Sequence, residues 1–230
     1  MSSNTLAGIG DKGSKLWIQK LVNLNKGKVL SNHITCIDSR INDITWLSPI
    51  KEDNYNEIKD LRNIKKGNES IITKEDLSFW PKNGPWWDAI GICEDETIIL
   101  VEAKAHINET HTKCSATSKS SKELINKTLK EVYENLSNNK LCDTDWLDSK
   151  FDVWHNKYYQ IANRLSFLVK LKEQGKKVKL VFLNIAGDSG YIETSIEQWI
   201  EHYKKISSYM GIDLFNLEDV IILNFDVSKL

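Results

Sequence analysis

One stretch constrains this chain more than any other. In residues 97–105 an apolar run, Ile98-Ile99-Leu100-Val101, passes without a break into Glu102-Ala103-Lys104. Such a run, rich in β-branched side chains, reads as a buried strand. Its period of two puts Glu102 and Lys104 on one side. Charges inside an apolar strand are costly unless something pairs with them. Residues 87–93 read as a second strand, joined to the first by the polar turn Glu94-Asp95-Glu96, so the two predict an antiparallel hairpin. Asp88 opens that second strand. The hairpin therefore gathers two carboxylates and one ammonium at one end of a sheet. Two carboxylates are what a hard divalent cation such as Mg²⁺ asks for, and a lysine beside them can orient or deprotonate an attacking water.

Around the hairpin the pattern alternates. Ser14 is read as the cap of a helix carrying Leu16, Trp17, Leu21 and Leu24, ended by Gly27. Residues 28–45 are mixed, with a short strand near residues 33–37. A helix is expected over residues 52–64, from the spacing of Tyr55, Ile58 and Leu61, with Asp53, Glu57 and Asp60 on a neighbouring face. Residues 70–73 read as extended, residues 80–85 as a turn rich in breakers, and residues 106–121 as a polar loop. A helix over 122–136 and an acidic connection over 137–152 follow. Then come a helix over 155–173, a strand over 178–185, a helix capped by Thr194 or Ser195 and ended by Gly211, and a last strand over 220–225. The expectation is a single α/β domain, 1–230, with a mixed sheet flanked by helices and an N-terminal helical extension of about 45 residues.

Composition excludes several classes. Hydrophobic residues at 40% and charged residues at 27% rule out wholesale disorder, and 230 residues bury a core without staples. No apolar run is long enough for a membrane span, so no membrane partner is expected. Residues 1–13 lack a basic patch followed by an apolar stretch, so no signal peptide is read. Four scattered cysteines without a CxxC pair indicate neither a zinc site nor a disulfide framework, and point to a reducing, cytoplasmic compartment. His106, His111 and Cys114 lack a zinc spacing. The glycines at 8, 10 and 13 have no preceding strand to make a phosphate loop, and no nucleophile elbow is present.

The net charge of −1 does not advertise a nucleic-acid partner, but the charges are segregated. Residues 113–130 and 170–179 each hold five lysines and one acid. These are read either as solvated helix faces or as local basic patches that meet a polyanion.

Asp88…Glu102-Ala103-Lys104 resembles the PD-(D/E)xK nuclease superfamily, whose core is a helix, a three-strand meander, a helix and a further strand. The wider context is similar to a bacterial family of unassigned function, from about Trp46 to the last strand. It is carried by Trp80-Pro81, Gly84-Pro85, Trp87-Asp88, Glu102 to His106 with Glu109, and Tyr158-Tyr159-Gln160 with Asn163-Arg164-Leu165. In the superfamily motif the proline abuts the aspartate, whereas here Pro85 lies three residues before Asp88. The resemblance implies a restriction-endonuclease-like fold and a nuclease dependent on Mg²⁺ or Mn²⁺. Asp88 and Glu102 would hold the metal, Lys104 would position water, and Gln160 would line the site. Nucleic acid, DNA or RNA, is the expected partner, and a homodimer is compatible with it. The alternative is a non-catalytic nucleic-acid- or protein-binding module on the same fold.

Further candidates surround this set. Glu57 is the acid expected from the helix before the sheet, in competition with Glu52, Asp53 and Asp60. His106 is read either as an aid to proton transfer or as an ordinary strand-end histidine, with Glu109 beside it. Asn163 and Arg164 share a face with Gln160. Arg164 suits two phosphate oxygens, or alternatively pairs with an acid such as Asp88. Trp17 and Trp199 fit apolar helix faces, whereas Trp80, Trp86 and Trp87 border the site and serve either packing or base stacking.

Overall fold

A computed structural model describes residues 8–82 and 84–230. The first seven residues of the N-terminal extension and Asn83 of the 80–85 turn lie outside the described residues, as does most of the stretch read for a signal peptide. The elements in chain order are α1 (Gly13–Asn23), α2 (Lys28–Ile37), β1 (Thr45–Ser48), a short hairpin of β2 (Lys65–Lys66) and β3 (Glu69–Ser70), and β4 (Ala89–Ile92). They continue with β5 (Ile98–Lys104), α3 (Lys119–Ser137), α4 (Asp143–Ser149), α5 (Tyr159–Glu173), β6 (Val178–Ala186), α6 (Ile196–Met210) and β7 (Val220–Asp226).

Five strands form one mixed sheet in the order β1-β4-β5-β6-β7. The first two pairings are antiparallel, and β5/β6 and β6/β7 are parallel. The expected hairpin is β4/β5, with Ala89 opposite Val101 and Ile90 opposite Leu100. Helices α3 to α6 cover one face, where Leu100, Leu180 and Phe182 meet Trp154, Leu165, Trp199 and Tyr203. Helices α1 and α2 cover the other, where Ile99, Val101, Ala103, Val181 and Leu183 meet Ile18, Leu21, Leu30 and Ile34. A sheet covered on both sides explains why β5 and β6 are apolar almost throughout.

Several expectations fail for local reasons. Ser14 lies inside α1, whose cap is Lys12. Gly27 does not end that helix but caps α2 at φ +75°, where a Cβ would fall 2.2 Å from the Trp46 ring. The strand expected near 33–37 is part of α2. There Leu30 and Ile34 pack at helical spacing into the core, and tertiary burial overrides the β-branched bias of Ile34, Thr35 and Ile37.

The helix expected over 52–64 does not form. Asn54 and Tyr55 are left-handed at φ +52° and +57°, and the Asp60 side chain accepts the Arg62 amide to cap a separate turn at Leu61–Asn63. Side chains that hydrogen-bond their own backbone compete with a helix. The acidic connection contains α4, since Asp143 and Asp145 favour a helix N-terminus and Trp146 is buried. A π-helical turn, Val153–Lys157, precedes α5, which starts at Tyr159 rather than near His155. Trp199 is core as expected, but Trp17 is only half-buried, its indole N–H donating to Asp188 at 2.7 Å. Among the described residues no helix is long and apolar enough to cross a membrane.

Candidate active site

The β4/β5 register ends at Ala89/Val101, and Asp88 immediately precedes β4, next to Glu102 at the end of β5. Asp88 is anchored there by its Oδ2, which accepts the Ala103 amide at 2.7 Å. Glu102 and Lys104 are 2% and 8% exposed, so their charges must be met by protein groups. The Lys104 ammonium donates to Glu102 Oε1 at 2.5 Å. Arg164 donates through Nε to Glu102 Oε2 at 2.7 Å, and its Nη2 also reaches that oxygen. The acid that Arg164 pairs with is Glu102 rather than Asp88.

Arg164 is itself held from three sides. Its Nη1 donates to the Asn163 side-chain oxygen at 2.9 Å and its Nη2 to the Trp86 carbonyl at 2.7 Å, while the guanidinium lies 4.6 Å from the centre of the Trp87 ring. Asn163 is therefore a positioning residue. Trp87 is a packing residue with a cation on its face.

The electrostatics follow from this geometry. Burial would raise Glu102, but Arg164 and Lys104 outweigh it and hold the carboxyl below its ordinary value. Burial opposes the charge on Lys104, but Glu102 and Asp88 overcome it and raise the ammonium above its ordinary value. Lys104 therefore stays protonated at neutral pH. In this arrangement it is placed to orient water and to offset negative charge. Asp88 is the exception in the set: burial, reinforced by the charge of Glu102, pushes it up to about 7.

Glu57 is brought to the site without the helix expected to carry it. The Trp87 amide donates to the Ile58 carbonyl at 3.3 Å, which lays residues 57–58 against the start of β4. Burial raises Glu57, Lys15 pulls against that, and the charge of Glu102 adds to the rise. Its competitors are elsewhere: Asp60 pairs with Arg62, and Glu52 and Asp53 are exposed.

Gln160 sits one turn before Arg164 and shares its helix face, and its backbone amide donates to Thr112 Oγ1 at 2.8 Å. Its half-buried side chain makes no hydrogen bond to Asp88, Glu102 or Lys104 among the described residues. His106 faces Glu109, Nε2 to Oε1 at 3.4 Å, and its buried Nδ1 has no partner among the described residues. Glu109 also accepts the Ala105 amide at 2.8 Å and so secures the end of β5.

Two site residues were not anticipated. Asn184 is fully buried beside Lys104 in the β5/β6 register and donates to the Asn224 side chain at 2.9 Å, its own Oδ1 lacking a partner among the described residues. Its signal was available, since it is the lone side-chain amide within the apolar run 178–186. Tyr203 of α6 is buried over the same strands, and burial and the charge of Glu102 raise its phenol well above the ordinary value. Nothing in the α6 pattern separates it from other core aromatics.

The donor set is of the right kind for a hard divalent cation: two neighbouring carboxylates, one of them lacking a direct cationic partner among the described residues. Both oxygens of Glu102 are engaged by cations, so a metal there would compete with Lys104 and Arg164. No cluster of three or more His, Cys, Asp or Glu side chains is arranged to hold a metal among the described residues.

The lysines of 170–179 do not form a free basic patch. All five lysines of 170–179 are ion-paired: Lys170 with Glu131 and Glu173, Lys172 with Asp219, Lys176 with Asp76, Lys177 with Asp95, and Lys179 with Asp38 and Asp219. In 113–130, Lys119, Lys127 and Lys130 lie against acids of their own helix.

Comparison with protein-family models, with curated proteins and with solved structures finds no match for this chain.

Proposed function

We propose that this protein is a divalent-metal-dependent phosphodiesterase of restriction-endonuclease-like fold that hydrolyses DNA or RNA. The observation that carries the reading is the gathering of Asp88, held by the Ala103 amide at the entry to β4, with Glu102 and Lys104 on one side of β5. The chain order supports it: an antiparallel meander β1-β4-β5, helix α5, then β6 parallel to β5, which is the core order that the superfamily resemblance implies. Buried groups with displaced pKa values gathered at one point add weight.

In this reading Asp88 and Glu102 hold Mg²⁺ or Mn²⁺, which when bound polarises a phosphoryl oxygen and acidifies water. The chain's own groups do the rest. Lys104, fixed by Glu102, presents a permanent ammonium to the water and to the developing negative charge. Arg164 and Asn163 lock Glu102 in place. Asp88 exchanges its proton near neutral pH, so the site is competent only once that carboxyl is ionised.

A purified-protein cleavage assay on supercoiled, linear and single-stranded DNA and on structured RNA, with Mn²⁺ or EDTA, tests this. Metal-dependent cleavage is expected, falling by about 10³-fold or more in Lys104→Ala. Cleavage that persists in EDTA or in Lys104→Ala would remove the assignment. The second reading, a binding module without catalysis, is favoured by the engagement of both Glu102 oxygens. Calorimetric Mn²⁺ binding that is lost in Asp88→Ala would exclude it.

A further inference from the structure

Outside the triad, the described residues include a hollow that combines aromatic walls with cations that have no acid to answer them. It encloses about 520 Å³ and is lined by Lys59, Lys74, Trp80, Lys82, Gly84 and Phe167, among others. Lys74 and Lys82 are exposed and Lys59 half-buried, and none has an acid within ion-pair distance among the described residues. Arg62 also lines it, answered by Asp60. In contrast to the fully paired lysines of 170–179, three lysines converge here without a paired acid among the described residues. A chain of packed side chains links the hollow to the triad: Phe167 stands edge-on to Trp87 at 5.7 Å, and Trp87 backs the Arg164 guanidinium that holds Glu102.

Beside it stands Trp86. Trp86 is 55% exposed, two positions from Asp88. Its backbone is fixed by Arg164, and Lys59 lies 5.3 Å from the centre of its ring. An exposed indole on a rigid backbone with an ammonium at its side offers a face to a nucleobase and a charge to the next phosphate. A base can reach such a face only when it is unstacked from its neighbours, which a duplex does not permit without opening.

We infer that the hollow and Trp86 bind a single-stranded polynucleotide: one base stacks on Trp86, and Lys59, Lys74 and Lys82 neutralise the phosphates leading to the triad. The inference rests on the phosphodiesterase reading for its orientation but not for its test.

The test is fluorescence anisotropy in EDTA, which removes cleavage, with labelled single-stranded DNA and RNA of about twelve nucleotides and the matching duplex. At least one single strand is expected to bind about tenfold or more tightly than the duplex. Replacing Lys59, Lys74 and Lys82 together by Ala should weaken binding and flatten the slope of log K against log salt by about 2. Trp86→Ala should weaken it by about 5- to 100-fold, and Trp86→Phe should recover most of the loss. Duplex bound as tightly as single strand, or an unchanged salt slope in the triple variant, would overturn the proposal. So would unchanged affinity in Trp86→Ala, provided that circular dichroism shows the variant folded. A protein that binds single strands yet never cleaves sinks the phosphodiesterase reading alone. One that cleaves while the triple variant cleaves equally well sinks the groove alone.

Discussion

The sheet carries two buried ion networks, on opposite faces and at opposite ends of the parallel strands, and they differ in how their charges balance. Near the start of β6, Lys179 donates to Asp38 at 2.7 Å and pairs with Asp219 at 2.8 Å, while Arg40 grips Asp38 and Lys172 grips Asp219. Every carboxylate there has cations against it. Arg40 above all drives Asp38 far below its ordinary value, and Lys172 and Lys179 hold Asp219 down against the burial that would raise it. At the end of β5, Glu102 absorbs both available cations, and Asp88 and Glu57 are left raised. The first network is a closed structural joint. The second is short of positive charge around the half-buried Asp88 and Glu57, an arrangement that costs stability and that a bound cation would relieve.

The sharpest way to break this contrast is to remove one cation from each network and measure unfolding by urea. Arg164→Met leaves Glu102 buried with only Lys104, and a loss of about 3–5 kcal/mol is expected. Lys179→Met leaves Asp38 with Arg40 and Asp219 with Lys172, and a smaller loss of about 1–3 kcal/mol is expected. Equal losses would show that the two networks do not differ in kind.

The pH dependence of stability has opposite signs in the two. Asp88 is raised in the folded state, so its contribution is fully present below the ordinary carboxylate range and is lost as pH rises through about 7. Asp38 is depressed, so its contribution is present above the ordinary range and is lost as the medium becomes strongly acidic. Asp88→Asn should therefore gain on the wild type as pH rises from about 4 to about 7 and level off above that, by at most about 1.4 kcal/mol per pH unit. Asp38→Asn should lose at neutral pH and converge on the wild type in acid. A flat difference for Asp88→Asn across that range would show that its carboxyl titrates normally.

The smallest effect belongs to Arg40→Ala. Arg40 is more than half exposed, and its ion pairs with Asp38 and Glu218 face solvent. Its removal should shift the urea midpoint only slightly at low salt and not measurably at about 0.5 M salt. A shift that survives salt would place Arg40 inside the buried joint.

Asp88, Glu102 and Lys104 were legible as a group because β-strand geometry is short-range. Period two fixes the face of Glu102 and Lys104, and a three-residue turn fixes which residues of the two strands meet. The strands β6 and β7 and helix α6 were legible for the same reason, with the capping box at Ser195 and the stop at Gly211 marking α6 at both ends. Residues 52–64 were misread because apolar spacing alone cannot see that Asn54, Tyr55 and Asp60 spend their backbone on local turns. Glu57 was named for a helix that does not exist and reached the site through one strand-like hydrogen bond instead.

What the amino-acid order determined by itself is the hairpin and its two carboxylates with one lysine, because neighbours along two linked strands must also be neighbours in space. What only the tertiary structure decided is which charge answers which. Arg164 is 62 positions from Glu102 and Lys179 is 141 from Asp38. Net composition is nearly neutral, and only the packing of helices on the sheet sorts those charges into one network that balances and one that does not. Coulombic and desolvation energies depend on distance and burial rather than on order along the chain.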